Sequence, residues 1–374
     1  MFFPSPNPST LRLLLMSTPV GPLGSGLGGG VELTLKNIAQ ALSQRGHQIQ
    51  IVAPQGSILN DLSDLPLIEL IEIDGTLQPI AQNHDRQTPA LIPEHAVLGE
   101  MWNYARHVQT EFDMLINFAY DWLPFYLSSW FERPVAHLVS MGSLTDVMDG
   151  AIAKTLDAFP GTIGVHSRVQ AETFAFGDRC RCLGNGFDLS QYQFQSNPDP
   201  IVAWVGRIAP EKGLEDAVAA VKQLDTPLHI FGAISDAAYW QDIQVRYPDA
   251  PIHYRGFLST DELQAELGCC RGMIMTPKWV EAFGNVAIEA IACGVPVVAY
   301  GRGGPAEIVE HGVTGWLVEP DSVSGLAEAI ARLDEIDRHA CRHHAEQHYS
   351  LEAMGERVEA WLNDILTQHQ LRIR

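Results

Sequence analysis

The feature that most constrains the fold is a regular alternation of short apolar runs with segments of helical periodicity, which occurs twice along the chain. In the first half, apolar runs at residues 11–17 and 113–118 are separated by helical stretches such as 31–42 and 95–109. The pattern then restarts with an apolar run at residues 201–205. Strands and helices that alternate in this way form a parallel sheet covered by helices on both faces. The sequence therefore predicts an α/β protein with two doubly wound domains.

The predicted domain boundaries follow this repeat. Residues 1–10 contain three prolines and no basic or long apolar run, which predicts a disordered tail rather than a signal peptide. We expect residues 11–195 to form an N-terminal domain and 196–350 a C-terminal domain. The last helix, at 351–374, is expected to pack back on the N-terminal domain. Two such sheets would direct their carboxyl-end loops into a central cleft, where folds of this kind bind ligands.

Composition excludes several classes of partner. The net charge is −21 over 374 residues, whereas binding nucleic acid or an anionic membrane requires broad positive surface. The early apolar run at residues 13–16 is too short to span a bilayer. The six cysteines include no CxxC pair, which indicates reduced thiols, a cytoplasmic protein and no cysteine-based metal site.

Two carboxylates, Glu281 and Glu289, stand on either side of a predicted helix start at residues 283–285, with seven residues between them. A helix start offers unpaired N–H groups and the positive end of the helix dipole, which suits an anion. Glu289 would lie about 12 Å further along at ~1.5 Å rise per residue. A polyol, a phosphate and a second hydroxylated ring would fit this order, which is the layout of a nucleotide sugar.

Two basic residues provide partners for such an anion. Arg207 and Lys212 flank a proline turn just after the predicted strand at residues 201–205. An arginine grips phosphate with two parallel N–H bonds, and a lysine acts as a point charge. The alternative is an ordinary pair of surface charges.

A glycine-rich loop raises a competing hypothesis. Gly24, Gly26 and Gly29 match the GxGxxG pattern of nicotinamide sites, but six residues separate the loop from its strand and Gln55 replaces the expected acidic residue. The other hypothesis is that Gly29 and Gly30 bring backbone N–H groups close to an anion at a helix start. A flexible surface loop is the third possibility.

Several motifs together resemble retaining GT-B glycosyltransferases of glycosyltransferase family 4. They are the Glu281 segment, the GRxxxEKG run at 206–213, LGNGFD at 183–188, GGPAE at 303–307 and HGVTG at 311–315. The resemblance covers nearly the whole chain from Leu11. It implies two Rossmann-like domains, with a nucleotide sugar held mainly by the C-terminal one.

The resemblance also implies roles for individual residues. Glu281 would hold the hydroxyls of the donor sugar and Glu289 those of the ribose, while Arg207 and Lys212 neutralise the diphosphate. Further donor contacts would come from Gly29, Gly30, Gly206, Phe257, Leu258, Phe283, Gly284, Asn285 and Val286. Base contacts of the kind implied at residues 257–258 accompany uracil, which indicates a UDP-sugar donor, no additional cofactor and no metal.

The acceptor is predicted from a narrower resemblance. Residues 17–32 look like the opening of UDP-glucose:tetrahydrobiopterin glucosyltransferases, which act on a flat pterin. An aromatic stack and a carboxylate suit such a ring. Many members of the family carry a histidine just after the strand that corresponds to residues 134–140, and His137 is offset from that position in this sequence. The candidate acceptor residues are Tyr120, Asp121, Trp122, His137, Ser140 and Asp146. Each has an ordinary structural alternative as a surface acid or a core side chain.

The expected reaction is hexosyl transfer with retention at the anomeric carbon, with Arg207, Lys212 and Glu281 as the catalytic set. Because Glu281 holds hydroxyls in this family, a front-face route without a carboxylate nucleophile is favoured. The alternatives are a lipid, sugar or other acceptor, a nucleotide-sugar epimerase of GT-B fold, a nicotinamide oxidoreductase and a catalytically silent binding protein.

Overall fold

This computed structural model describes residues 10–59, 65–79 and 92–373, so most of the predicted tail lies outside the described residues. The chain divides into two compact units. The first comprises Met1–Val165, Ala171–Gly186 and Leu351–Arg374, and the second comprises His166–Gln170 and Phe187–Ser350.

The first unit contains a parallel sheet of seven strands in the order β3-β2-β1-β4-β5-β6-β7. The interior strand β1 is apolar from Leu13 to Met16, where both of its faces are covered. Leu13 and Leu15 pack into one hydrophobic cluster, and Leu14 and Met16 pack into another on the opposite face. The strands are β1 (Arg12–Met16), β2 (Gln48–Pro54), β3 (Ile68–Ile73), β4 (Met114–Asn117), β5 (Val135–Val139), β6 (Ile163–Val165) and β7 (Arg181–Cys182).

Helices cover both faces of this sheet. They are α1 (Gly30–Gln44), α2 (Val97–Val108), α3 (Trp122–Leu127), α4 (Asp146–Ala158) and the C-terminal α13 (Leu351–Ile373), while α5 (Arg168–Glu172) contributes residues to both units. Helix α13 packs beside α1, where Val358 and Trp361 join the same cluster as Leu35 and Leu42. Buried Glu359 accepts hydrogen bonds from Arg45 there.

The second unit contains a parallel sheet of six strands in the order β10-β9-β8-β11-β12-β13, the order of a dinucleotide-binding fold. The strands are β8 (Asp199–Val205), β9 (Leu228–Phe231), β10 (Ile252–Gly256), β11 (Cys270–Met275), β12 (Val297–Tyr300) and β13 (Gly315–Val318). The helices are α6 (Leu214–Leu224), α7 (Ala237–Arg246), α8 (Thr260–Gly268), α9 (Asn285–Ala292), α10 (Pro305–Ile308), α11 (Val323–Ala331) and α12 (Arg338–His348). Two Rossmann-like parallel-sheet domains are therefore present, as the alternation predicts.

The chain leaves the first unit between Gly186 and Phe187, earlier than the predicted change at residue 195. The backbone explains the difference. The N–H of Phe187 donates to the carbonyl of Tyr349 at 2.8 Å, and Phe187 forms a β-bridge with Ser350. These contacts between distant parts of the chain attach residues 187–195 to the second unit.

No helix in the described parts of the chain is long and apolar enough to cross a membrane.

Candidate functional site

The predicted catalytic residues of the second unit lie near the point where its strand order reverses. Strand β8 connects onward to β9 on one side, whereas β11 lies on its other side. The loops that follow β8 and β11 therefore flank a topological switch point, where open α/β sheets bind ligands at the carboxyl ends of their strands. Arg207 and Lys212 lie on the first loop, and Glu281 lies on the second.

Hydrogen bonds tie these two loops together. The hydroxyl of buried Thr276 donates to the carbonyl of Lys212 at 3.2 Å, and the N–H of Lys278 donates to the carbonyl of Glu211 at 2.8 Å. Gly213 has φ +65°, and a Cβ at this position would lie 2.1 Å from the carbonyl oxygen of Thr276. Glycine is required there by both the backbone conformation and the close approach, and it ends the short 3₁₀ turn at Pro210–Lys212 so that α6 begins at Leu214.

The tied loops bring two predicted catalytic residues into contact. Lys212 Nζ lies 2.5 Å from Glu281 Oε2. The indole Nε1 of Trp279 donates to the same oxygen at 3.1 Å, and Lys212 Nζ lies 5.3 Å from the centroid of the Trp279 ring. One carboxylate oxygen therefore receives an ammonium and an indole N–H, while the ammonium also rests against an aromatic face.

The two glycines of the GGPAE motif, Gly303 and Gly304, lie in close contact with the backbone of residues 281–283. A Cβ on Gly303, which has φ +71°, would lie 2.5 Å from the amide nitrogen of Glu281. A Cβ on Gly304 would lie 2.1 Å from the carbonyl oxygen of Phe283, and its N–H donates to the carbonyl of Glu281 at 2.7 Å. The motif therefore fixes the backbone that carries Glu281 and Phe283.

The helix predicted after Glu281 is present as α9, which begins at Asn285. Gly284 precedes it with φ +99° and ψ 57°, and no side chain caps this end. The first N–H groups of an α-helix have no partner within the helix. Asn285 and Val286, two of the predicted donor contacts, therefore occupy a helix start of the kind that suits an anion.

Glu289 lies on the buried face of α9, with 8% of its surface exposed. Tyr192 donates a hydrogen bond to its Oε1 at 3.3 Å. Burial raises the pKa of Glu289 from 4.5 to about 7, and the Tyr192 hydrogen bond opposes this rise. This carboxyl group is therefore largely desolvated.

The raised pKa of Glu289 predicts a pH-dependent stability. Because the folded protein binds this proton more tightly than the unfolded chain, the contribution of Glu289 to stability falls as pH rises from 4.5 to 7. Relative to Glu289→Gln, the free energy of unfolding of the natural protein should decrease by roughly 2–3 kcal/mol over this interval. Urea unfolding of both proteins at a series of pH values measures the difference, and parallel profiles would contradict the assignment.

Arg207 and the predicted base loop are more exposed. Arg207 Nη2 pairs with Glu211 Oε1 at 2.9 Å, with 41% of the Arg207 side chain exposed. Phe257 and Leu258 follow Gly256 at the carboxyl end of β10, and Phe257 is 73% exposed. All of these residues belong to the second unit and lie in loops after its strands.

The backbone N–H groups of the glycine loop in the first unit bind a carboxylate of the protein itself. The carboxylate of Glu32, a buried residue of α1, accepts hydrogen bonds from the N–H groups of Gly24 at 2.9 Å, Gly26 at 3.3 Å and Gly28 at 2.6 Å. The N–H of Gly29 donates to the carbonyl of Gly26. In this structure the Gly29 N–H closes a turn, and Gly30 begins α1. The predicted donor contacts of Gly29 and Gly30 remain predictions.

Two of the predicted acceptor residues share a concave surface of the first unit. Trp122 and Asp146 line a cavity of about 700 Å³ between α3 and α4. Tyr126, Trp130 and Lys154 also line it, and the Trp122 and Tyr126 rings stack with centroids 4.6 Å apart.

Two other candidates have local roles in the same loops. Asp121 caps α3 by accepting from the N–H of Leu123 at 2.9 Å, and burial raises its pKa. The hydroxyl of Tyr120 lies 3.4 Å from both the carbonyl oxygen of Gly142 and the amide nitrogen of Leu144.

His137 is a core side chain, which is the structural alternative to its prediction as a sugar or acceptor contact. It is fully buried, stacks on Phe125 and lies 3.2 Å from Asn117 Nδ2 and 2.8 Å from Ser128 Oγ. Burial lowers its pKa to about 3, so the ring stays neutral. Both ring nitrogens have partners, which leaves none for a ligand. Ser140 lies half-buried just beyond the end of β5.

No role was predicted from the sequence for Trp279, which lies outside the motifs, or for Glu307, the last residue of the GGPAE motif. Trp279 contacts both Lys212 and Glu281, and its only sequence signal is its place two residues before Glu281. Glu307 accepts from the N–H groups of Arg168 at 3.0 Å and Val169 at 2.6 Å, contacts that join distant parts of the sequence. Among the described residues, no group of three or more His, Cys, Asp or Glu side chains could hold a metal ion.

A known protein family matches most of the second unit. Residues 189–364 match the family model described as "Glycosyl transferases group 1". A sulfoquinovosyl transferase of Arabidopsis thaliana is 29% identical over 222 residues, 57% of this chain and 42% of that protein. A 2-deoxystreptamine glucosyltransferase of Streptomyces kanamyceticus is 34% identical over 140 residues, 36% of each protein. The matches thus span less than half of these curated relatives.

Solved structures match over almost the full length. HepE of Anabaena, solved in complex with UDP-glucose, has a TM-score of 0.73 at 19% identity and covers 95% of this chain and 100% of its own. A sucrose-phosphate synthase from Thermosynechococcus elongatus has a TM-score of 0.70 at 21% identity, with 97% and 98% covered. The matching family model and these curated relatives are glycosyltransferases, matched over part of the chain. The fold of the whole chain is the GT-B fold of two Rossmann-like domains.

Proposed function

We propose that this protein is a retaining hexosyltransferase that uses a UDP-sugar donor. The observation that carries the proposal is the contact between Lys212 and Glu281 at the switch point of the second sheet, directly before the start of α9. A cation, a carboxylate and a helix start in this order suit a diphosphate flanked by hydroxylated rings. The solved relative that contains UDP-glucose supports this choice of donor.

The chemistry follows from where charge develops. The bond between the anomeric carbon and the diphosphate oxygen breaks, and the leaving diphosphate gains negative charge. Lys212 and Arg207 stabilise that charge, which is usually the largest electrostatic contribution to such a reaction. The acceptor hydroxyl forms the new bond on the same face of the sugar, and its proton passes to a leaving phosphate oxygen. Glu281 holds sugar hydroxyls and does not attack the anomeric carbon.

The acceptor proposed is a small hydroxylated molecule, and tetrahydrobiopterin is the specific candidate, with glucose as the sugar. Trp122 supplies an exposed aromatic face, and Asp146 supplies a carboxylate on the same cavity. A flat ring with adjacent N–H donors suits such a pair.

Incubation with UDP-glucose and tetrahydrobiopterin, followed by mass spectrometry, tests the reaction. The expected product is the pterin with one added hexose, together with UDP. A changed sugar nucleotide without any acceptor product would instead indicate an epimerase. No change in either compound, and none with other hydroxylated acceptors, would contradict transferase activity.

The acceptor assignment predicts the effect of two substitutions in the cavity. Trp122→Ala and Asp146→Asn should each raise the KM for the acceptor about tenfold, since each removes a stacking face or a charge-assisted hydrogen bond. The KM for the donor should stay unchanged. Asp157→Asn is the matched control, because Asp157 lies at the other end of α4 and pairs with Arg179. Unchanged acceptor KM values in both cavity variants would contradict the assignment.

A further inference from the structure

The Glu281 carboxylate is held from one side only. Both of its side-chain partners among the described residues, Lys212 Nζ and Trp279 Nε1, contact Oε2. Its other oxygen, Oε1, takes part in neither contact. The carboxylate is therefore oriented by two donors that converge on one atom, which leaves the second oxygen for another hydrogen-bond donor.

The two partners of Glu281 differ in what else they can bind. Lys212 is a flexible cation, and a diphosphate would compete with Glu281 for its ammonium group. Trp279 is neutral and has a single N–H donor, so an incoming anion gives it no stronger alternative. When Lys212 turns toward a diphosphate, the indole N–H remains as the donor that keeps Glu281 in place.

The position of Trp279 is itself fixed by its neighbours. Lys278, the preceding residue, forms ion pairs with Asp216 and with Asp321, the latter at 3.1 Å. On the other side, the carbonyl of Glu281 accepts from the N–H of Gly304. The indole is thus anchored between two constrained backbone positions, which makes it a rigid donor.

We propose that Trp279 is the positioning residue for hexose recognition, because it holds Glu281 toward the sugar while Lys212 engages the diphosphate. This inference rests on the proposed function. It predicts that Trp279 contributes to binding of the sugar part of the donor and not to binding of the nucleotide part. UDP and UDP-glucose, which share the diphosphate and the base, separate these two contributions.

Trp279→Phe tests the proposal, because phenylalanine keeps a ring beside Lys212 and removes the N–H donor. Titration calorimetry with UDP should give a Kd within about twofold of the natural protein, whereas the Kd for UDP-glucose should rise about tenfold. Trp316→Phe is the matched control. Its indole N–H donates to the carbonyl of Arg332, and the Arg332 guanidinium lies over its ring, away from Glu281.

Three outcomes of these titrations would contradict the proposal. An unchanged Kd for UDP-glucose in Trp279→Phe would overturn the role of the indole N–H. Equal losses for UDP and UDP-glucose would also overturn it, because they would indicate a general disturbance of the loop. If the natural protein bound UDP but not UDP-glucose or any other UDP-sugar, the proposed function would fall, and this inference with it.

Discussion

Lys212→Ala is expected to lower turnover about a hundredfold, the loss typical of removing a group that stabilises developing transition-state charge. The substitution removes the cation proposed for the leaving diphosphate and also the ion-pair partner of Glu281. The same change at Arg207 should lower turnover at least about tenfold, since Arg207 already pairs with Glu211 in a more exposed position. Steady-state kinetics with saturating donor measures both effects.

Lys222→Ala provides the control for the lysine substitution. Lys222 lies on α6, shortly after Lys212 in the chain, and its ammonium also lies near an aromatic ring, that of Tyr247 at 5.9 Å. Its removal should leave turnover unchanged. Turnover close to that of the natural protein in both Lys212→Ala and Arg207→Ala would contradict the leaving-group assignment.

Gly213→Ala is expected to abolish measurable donor binding and to lower the free energy of unfolding by roughly 3 kcal/mol. The added Cβ would lie 2.1 Å from the carbonyl oxygen of Thr276, so one of the two tied loops must move. Because Lys212 is the preceding residue, this movement would separate it from Glu281. Titration with UDP-glucose and urea unfolding measure the two effects.

Gly46→Ala separates backbone strain from the steric clash. Gly46 has φ +93°, and a Cβ there would meet no atom within 4 Å. This variant should lose only about 1–2 kcal/mol, the cost of a left-handed conformation for alanine. Equal destabilisation in the two variants, with donor binding retained in Gly213→Ala, would show that the contact between the loops does not position the site.

The alternation of apolar runs and helical periodicity predicts both sheets, because the interior strands, such as β4, β5 and β12, are buried on both faces and most strands are joined by helices. The helix after Glu281 was also predictable from local sequence. The residue at which the chain passes from the first unit to the second was not predictable from local sequence. It depends on the pairing of Phe187 with Tyr349 and Ser350, which lie far along the chain.

Two features of the predicted sites could not be predicted from sequence, because they depend on side-chain geometry. The glycine loop has the N–H groups of an anion site, but sequence does not show that the anion is the carboxylate of Glu32. His137 lies in a strand, and the sequence pattern there fits either a ligand contact or a core position. Its contacts with Asn117 and Ser128 show that it is a core side chain. Likewise, the ion pair of Lys212 with Glu281 joins residues that are distant in sequence.

The central claim is that the loops after β8 and β11 bind a UDP-sugar through Lys212 and Glu281. Titration calorimetry of UDP-glucose against the natural protein and against Glu281→Gln tests it most directly. We expect one molecule of UDP-glucose to bind the natural protein, and we expect Glu281→Gln to bind it at least about tenfold more weakly while binding UDP normally. Equal affinity of both proteins for UDP-glucose, or no binding of any UDP-sugar by the natural protein, would contradict the claim.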